Sequence, residues 1–204
     1  MMLADGELIA TGAVVIANGL QAVNLLPDLP MQAKKGHLLI TDRYPSTIRH
    51  QILKLGYIKS AHNTTGTSVA FNVQPRPTGQ VLIGSSRQFD NADPAIEPAI
   101  LARMLRRASN YLPQLLTLNA ICAWTGFRPA THDGLPLIGP AVHFADGIPA
   151  WLATGHEGLG VTTALATAKL IAAQMTGAFA DVLIDATPYS LARFRVNDPC
   201  PSLS

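Results

Sequence analysis

The chain has few charged residues, few aromatic residues and only two cysteines. Charged residues make up 14% of its 204 positions and hydrophobic residues 48%, so the chain is too apolar to be intrinsically disordered. Cys122 and Cys200 match neither a disulfide framework nor a zinc-binding pattern, so we expect a reducing, cytoplasmic setting. The net charge is only +2 and no basic stripe is present, so we expect no nucleic-acid partner.

The sequence contains neither a recognisable transmembrane segment nor a signal peptide. Its most apolar stretch, Leu159 to Met175, is interrupted by polar side chains such as Lys169 and is shorter than a membrane-spanning helix. Near the N-terminus, Asp5 and Glu7 precede the first apolar run, and no basic segment stands before it. We therefore expect no signal peptide and no transmembrane segment.

No metal site and no hydrolase motif is predicted. The six histidines show no metal-ligand spacing, and His37, His50 and His62 are interpreted as surface or strand residues. Gly84-Ser85-Ser86 follows a predicted strand but lacks the second glycine of a nucleophile elbow. A hydrolase therefore has no nucleophile motif to support it.

The middle of the chain predicts an antiparallel sheet and one helix. Short β-rich segments are joined by tight Gly/Pro turns, as in antiparallel sheets. The predicted strands cover residues 37–41, 57–58, 68–73, 81–83 and 120–127. A helix is predicted from Pro98 to Tyr111, because Ile100, Met104 and Ala108 recur on one helical face.

The two ends of the chain predict parallel strands covered by a helix. Residues 13–17 form a continuous apolar run, which is typical of a strand buried on both faces in a parallel sheet. A second predicted strand over residues 151–154 leads into a glycine-rich turn and an Ala-rich helix from Val161 to Thr176, with Gly177 as its C-cap. A parallel sheet needs crossover connections that so few preceding residues do not supply, so we expect the chain to begin in the middle of a fold.

The turn from Gly155 to Gly160 is the first candidate site. Glycines allow a ligand to approach the backbone closely, and a helix N-terminus offers free N–H groups and a partial positive charge. Glu157 would repel a phosphate, and the spacing G-x-x-G-x-G is not the dinucleotide fingerprint, so a flavin ring suits the turn better. The alternative is a tight strand-to-helix turn that binds nothing.

Arg128 is the second candidate. It follows an apolar strand and precedes Pro129, and its charge cannot be removed by deprotonation. A substrate carboxylate would satisfy the guanidinium with two hydrogen bonds. The alternative is a structural ion pair with an internal acid such as Asp133.

Five segments, taken together, resemble the C-terminal half of the FAD-dependent D-amino-acid oxidase family, which includes glycine oxidase, sarcosine oxidase-like enzymes and amino-acid dehydrogenases. The segments are Val14–Gly19, Lys35–Leu39, Gln74–Gly84, Thr125–Pro140 and Trp151–Gly177. The resemblance implies an FAD-dependent oxidoreductase that oxidises the C–N bond of an amino acid or secondary amine by hydride transfer to the flavin.

The resemblance also implies roles for individual residues. Arg128 would hold the substrate carboxylate, with Asn72 and His156 also at the catalytic site. Relatives such as glycine oxidase have an aromatic residue in place of Asn72, so the substrate cannot be carried over. No cysteine follows Arg128 closely, so we expect FAD to be bound non-covalently. The residues implied to contact FAD are Gly155, His156, Glu157, Gly158, Leu159, Gly160, Val161 and Thr162.

For the fold, the resemblance implies an α/β (α+β) protein with two domains. Residues 1–35 and 126–196 would form an incomplete FAD-binding Rossmann-like domain, residues 36–125 a substrate-binding antiparallel sheet with a helix, and residues 197–204 a tail. The G-x-G-x-x-G turn that holds the FAD pyrophosphate in the family is absent from the sequence. Because many relatives work inside multi-subunit dehydrogenases, we expect partner subunits. The alternative is a catalytically inactive remnant or an interaction subunit without flavin.

Overall fold

The structure, a computed structural model, describes residues 2–54, 66–89, 91–141, 147–178 and 183–194. The chain forms two compact units, unit 1 (Met1–Met31 and Pro129–Ser204) and unit 2 (Gln32–Arg128). The predicted strand over 57–58, the predicted tail, His62 and Cys200 lie outside the described residues. The domain boundaries expected from the sequence assign a function to each part of the chain, and that assignment stays a prediction.

Eight β-strands and two α-helices fall within the described residues. The strands are β1 (Val14–Ile16), β2 (Met31–Thr41), β3 (Ile52–Leu53), β4 (Thr67–Pro75), β5 (Val81–Gln88), β6 (Ala120–Thr131), β7 (Leu137–Pro140) and β8 (Ala150–Thr154), and the helices are α1 (Pro98–Ser109) and α2 (Gly160–Thr176). The mixed α/β class expected from the sequence is confirmed.

Unit 2 is built on a five-stranded sheet in the order β3-β4-β5-β2-β6, and its β2–β5, β3–β4 and β4–β5 pairs are antiparallel. The helix α1 packs Met104 and Ala108 against Phe71 and Val73 of the sheet, and all four side chains are buried. This apolar face was expected from the helical period. The helix ends at Ser109, two positions before the predicted end.

The sheet of unit 2 is more extensive than the sequence predicted. Strand β2 begins at Met31 rather than at His37, and the Gly84-Ser85-Ser86 segment lies inside β5 rather than after it. The polar residues in these stretches obscure the strand pattern, because polar side chains in a strand usually face solvent. Here Lys34 and Lys35 are 1% and 0% exposed, so local polarity is a poor guide to their position.

Unit 1 contains a three-stranded sheet in the order β1-β8-β7. Strand β1 runs parallel to β8, as the apolar run at residues 13–17 indicated, and β7 runs antiparallel to β8. Leu170 and Ile171 of α2 pack against Ile138. The expectation that β1 is buried on both faces is wrong for Val15, which is 41% exposed, because its side chain lines an open cavity of unit 1 and is not covered by a packed layer.

The end of α2 shows the predicted glycine cap. Gly177 adopts the left-handed conformation with a φ of 74°, and its N–H donates to the Ala173 carbonyl at 2.8 Å. A residue with a Cβ is disfavoured in this conformation, so the glycine stops the helix. Within the ranges that the structure describes, no helix combines the length and the hydrophobicity needed to cross a lipid bilayer.

A polar anchor holds the end of the described chain in unit 1. Arg193 donates from Nε to Asp133 Oδ2 at 2.6 Å and from Nη2 to Asp133 Oδ1 at 3.1 Å. It also donates to the carbonyls of Leu135 and Pro136 at 2.7 and 3.1 Å. Burial raises the pKa of Asp133, but the hydrogen bonds from Arg193 and from the Leu135 N–H hold that pKa below its ordinary value.

We expect Asp133→Asn to lower the free energy of unfolding at pH 7 by about 1–2 kcal/mol. Hydrogen bonds to a charged group contribute about 1.5–3 kcal/mol, and the loss here is smaller because the Asp133 side chain is 34% exposed. Because the folded state lowers the pKa of Asp133, the contribution of this carboxylate to the free energy of unfolding is present at neutral pH. That contribution is lost as the pH falls below about 4. Urea denaturation at pH 7 and pH 3 measures both effects. Asp28→Asn, at an exposed acid of the same unit, is the matched control, and equal losses in the two variants would contradict the anchor.

Candidate functional site

The glycine-rich turn of unit 1 is fixed between β8 and α2. Gly155 has a φ of 77°, and a Cβ there would lie 3.1 Å from Thr131 Cγ2 and 3.3 Å from the Leu137 nitrogen, so only glycine fits without strain. The turn is also tied to the end of β6. His156 forms a β-bridge with Ala130, and the Glu157 N–H donates to the Pro129 carbonyl at 2.9 Å.

His156 is half-buried and anchors the turn to the helix that follows. Its Nε2 lies 2.9 Å from Thr167 Oγ1, and Thr167 belongs to α2. Burial lowers the pKa of His156 below its ordinary value, which favours the neutral ring at pH 7. His156 therefore offers a hydrogen-bonding ring rather than a positive charge.

The N-terminus of α2 is not capped by a side chain. Its N-cap residue is Leu159, which carries no polar side-chain atom, and the helix begins at Gly160. The first N–H groups of an α-helix have no intrahelical acceptor, and together they carry a partial positive charge. This end of α2 can therefore donate hydrogen bonds to an electron-rich group.

A cavity of about 560 Å³ lies within unit 1, beside this helix end. Its walls are mostly small apolar side chains from β1, β8 and α2. The lining includes Ala17, Gly19, His156, Glu157, Gly160 and Ala164. A cavity of this size and polarity is typical of a small-molecule site.

The predicted cofactor residues divide into two groups in the structure. His156, Glu157 and Gly160 line the cavity. The other five do not line it: Gly155 is buried, and Gly158, Leu159, Val161 and Thr162 are exposed, Leu159 by 62% and Val161 by 96%. A role for these five residues in cofactor binding stays a prediction.

Arg128 belongs to unit 2, where its half-buried side chain reaches across the sheet. Its Nη1 donates to the Ser86 carbonyl of β5 at 3.4 Å. Strand β2 lies between β6 and β5, and the guanidinium passes over β2 at Gly36. Asp133, the acid that the alternative interpretation paired with Arg128, is bound on both oxygens by Arg193.

A buried polar network surrounds this part of unit 2. The ammonium of Lys35, 0% exposed, lies 2.9 Å from Glu97 Oε1. The same carboxylate accepts from the side-chain amides of Gln88 and Asn91 at 2.9–3.0 Å. These hydrogen bonds, from Gln88 first and Lys35 second, lower the pKa of Glu97. Glu97 is therefore ionised at pH 7 and compensates the buried lysine.

His37 lies beside that network and is a fully buried strand residue. Its Nε2 accepts from the Glu97 N–H at 3.1 Å, so Nδ1 carries the proton and donates to Ser86 Oγ at 2.9 Å. Burial, together with the charge of Lys35, lowers the pKa of His37. The ring is therefore neutral and joins α1 to β5.

Asn72, the third predicted catalytic residue, lies on β4 of the same sheet as Arg128. It pairs with Gly84, and its Oδ1 accepts from Gln51 Nε2 at 3.4 Å. Strands β4 and β6 are separated by β5 and β2, which corresponds to about 14 Å between strand axes. The Arg128 side chain spans two of these three strand spacings to reach β5, so the separation of the strand axes does not decide whether Asn72 and the guanidinium meet. The role of Asn72 at the substrate stays a prediction.

Sequence reasoning did not single out Ser86, Glu97 or Thr167. Ser86 Oγ forms two hydrogen bonds with His37, 49 positions away, and Thr167 forms one with His156, 11 positions away. No local pattern indicates such partners. The sequence contained one usable signal for Glu97. Lys34 and Lys35 stand shortly before the apolar run 38–40, with Gly36 and His37 between, and a lysine buried with that run needs an acid.

The chain shares its fold with solved structures of glycine oxidase. Glycine oxidase from Geobacillus kaustophilus superposes with a TM-score of 0.73 at 24% identity, covering 93% of this chain and 47% of that one. The family described as FAD dependent oxidoreductase matches residues 3–174. The chain therefore belongs to this family, as its sequence segments predicted.

Curated relatives agree with this assignment. Glycine oxidase of Pseudomonas putida is 28% identical over 92% of this chain and 47% of its own length. D-amino acid dehydrogenase 2 of Pseudomonas aeruginosa is 32% identical over 83% of this chain and 38% of its own length. The chain thus spans about half or less of the length of these relatives.

Some relatives are named as components of larger enzymes. The opine oxidase of Rhizobium meliloti has a component that is 27% identical over 93% of this chain and 45% of its own length. The sequence-based expectation of partner subunits is consistent with such relatives. For this chain, a partner stays a proposal.

Proposed function

We propose that this chain carries the substrate-carboxylate site and the flavin-facing part of an FAD-dependent oxidoreductase that oxidises the C–N bond of an amino acid or secondary amine. Membership of the FAD dependent oxidoreductase family supports the reaction class. The observation that supports the substrate class most is the half-buried guanidinium of Arg128 on the sheet of unit 2. Bound FAD would accept the hydride equivalent from the substrate.

The residues of unit 1 fit the flavin end of FAD. The apolar cavity, lined by small residues such as Ala17 and Ala164, accommodates a flat ring, and Gly160 opens a helix whose N–H groups suit an electron-rich carbonyl edge. Neutral His156 adds a polar ring to the wall. The glycine fingerprint for the pyrophosphate is absent from this sequence, so the chain's own residues are proposed to hold the flavin and not the phosphates.

The proposed task of Arg128 is to bind and orient the substrate. A guanidinium presents a planar fork of donors that matches a carboxylate, and it keeps its charge at any physiological pH. Fixing the carboxylate leaves the substrate few orientations, and such positioning supplies a large part of the rate when no protein acid or base is needed. His156 and Asn72 remain proposed contacts.

The second candidate function is an interaction subunit, or an inactive remnant, that binds no flavin. The relatives named as components of larger enzymes support it. The two candidates differ in flavin binding, which is directly measurable.

Titration with riboflavin, FAD and ADP tests the proposed flavin site. We expect riboflavin and FAD to bind with similar affinity and ADP not to bind, because the chain's residues are proposed to contact the ring only. A ligand at 100 times its dissociation constant stabilises the folded state by about 2.7 kcal/mol, so thermal denaturation reports binding independently of colour.

Ala164→Leu, which fills the cavity, should abolish the thermal shift caused by riboflavin. Lys169→Leu introduces the same side chain on α2 at an exposed position outside the cavity wall and should leave the shift unchanged. Failure of both riboflavin and FAD to bind the unaltered chain would favour the interaction subunit over the flavoprotein.

A further inference from the structure

The side chain of Arg128 takes an unusual route through the sheet of unit 2. Strand order places β2 between β6, which carries Arg128, and β5, which carries the Ser86 acceptor. Two strand spacings amount to roughly 9.6 Å, so the arginine must lie flat across the middle strand to reach β5. It crosses that strand at Gly36.

A side chain at position 36 would occupy the space of the guanidinium. A Cβ built on Gly36 would lie 2.8 Å from Arg128 Nη2 and 2.9 Å from Arg128 Cζ, and it would come closer still to Nη1. Contacts this short require the arginine to move. The φ of Gly36 lies outside the left-handed region, so the backbone itself would accept an alanine.

The acceptor end of this arrangement is held by the neighbouring polar network. The backbone N–H of His37, the residue after Gly36, donates to Ser86 Oγ at 2.9 Å, and the ring Nδ1 donates to the same oxygen. The register between β2 and β5 shifts at this point, between Lys35 and Leu38. Ser86 is thus fixed against the strand that Arg128 crosses.

We propose that Gly36 is a positioning residue for the carboxylate site. Because Gly36 has no side chain, the Arg128 guanidinium can lie against β2 at this position, and the glycine thereby determines where the guanidinium lies. The inference rests on the proposed role of Arg128 in binding a substrate carboxylate. It adds a second residue to that role, because a Cβ at position 36 would displace the guanidinium of Arg128 from its place on β2.

The test compares Gly36→Ala, Arg128→Ala and the double variant with the unaltered chain. Benzoate is the carboxylate probe, and benzamide is the uncharged analogue of the same shape. Gly126→Ala is the matched control, because a Cβ at Gly126 of β6 has no atom within 4 Å. Equilibrium dialysis gives the affinities, and urea denaturation gives the unfolding midpoints.

We expect Gly36→Ala to weaken benzoate binding about tenfold or more, since a misplacement of about 1 Å is enough for a large loss. Benzamide binding and the Gly126→Ala variant should not change. Arg128→Ala should weaken benzoate binding too, and adding Gly36→Ala to it should cause no further loss. We expect Gly36→Ala to lower the unfolding midpoint of the chain. The double variant should have the same midpoint as Arg128→Ala, because the side chain that the alanine would displace is absent from both.

The outcomes distinguish the role of Gly36 from the proposed carboxylate site at Arg128. Loss of benzoate affinity in Arg128→Ala but not in Gly36→Ala would overturn the role of Gly36 and leave the carboxylate site standing. Unchanged affinity in Arg128→Ala would contradict the proposed function itself. If Gly36→Ala fails to fold, folding of the double variant supports the steric conflict, and failure of both to fold contradicts it.

Discussion

Arg128→Ala is expected to weaken carboxylate binding by a factor of roughly 30 to 1,000, which corresponds to about 2–4 kcal/mol. The half-buried guanidinium is proposed to form two charge-assisted hydrogen bonds to the carboxylate, and truncation removes both. The dissociation constant of benzoate measures this loss on the chain alone. In a flavin-loaded enzyme, the same loss would raise the KM for an amino acid.

Arg128→Lys separates charge from geometry. Lysine keeps the positive charge but lacks the planar fork, so we expect it to recover only part of the affinity. Affinity equal to that of the unaltered chain in both variants would rule out a carboxylate at this residue.

Glu97→Ala is expected to lower the free energy of unfolding at pH 7 by about 2–3 kcal/mol. Removing one partner of a fully buried ion pair costs about 3–5 kcal/mol, and the loss here is smaller because the Glu97 side chain is 38% exposed. The Lys35 ammonium, 0% exposed, would lose its carboxylate acceptor. Urea denaturation measures the loss.

Glu97→Gln is the matched control for this effect. Its amide oxygen can still accept from Lys35, so we expect a smaller loss than in Glu97→Ala. Because the folded state lowers the pKa of Glu97, the stabilisation by this pair is complete at neutral pH and declines as the pH falls below about 4. Equal free energies of unfolding for Glu97→Ala and the unaltered chain would show that the Lys35–Glu97 ion pair does not stabilise the fold.

Elements with a strong local period were predictable from the sequence. The apolar face of α1 and the glycine cap of α2 follow from side-chain spacing and from the one residue type that favours a positive φ. The family was predictable as well, because several glycine-rich and proline-rich segments occur in the right order.

Elements whose polar residues find partners far along the chain were not predictable. The early start of β2 depends on Lys35 meeting Glu97, which is separated from it by 62 positions. The continuation of β5 through Ser86 depends on His37, which is separated from it by 49 positions. Local propensity favours loops at such residues, and only long-range hydrogen bonds outweigh it.

The sequence by itself determined the reaction family, the mixed α/β class and the two candidate sites, because residue type and spacing carry that information. The tertiary structure alone decided that Asp133 pairs with Arg193 and that Arg128 lies across Gly36. Both depend on which strands become neighbours. That choice is made by the packing of the whole sheet, and no segment of sequence encodes it locally.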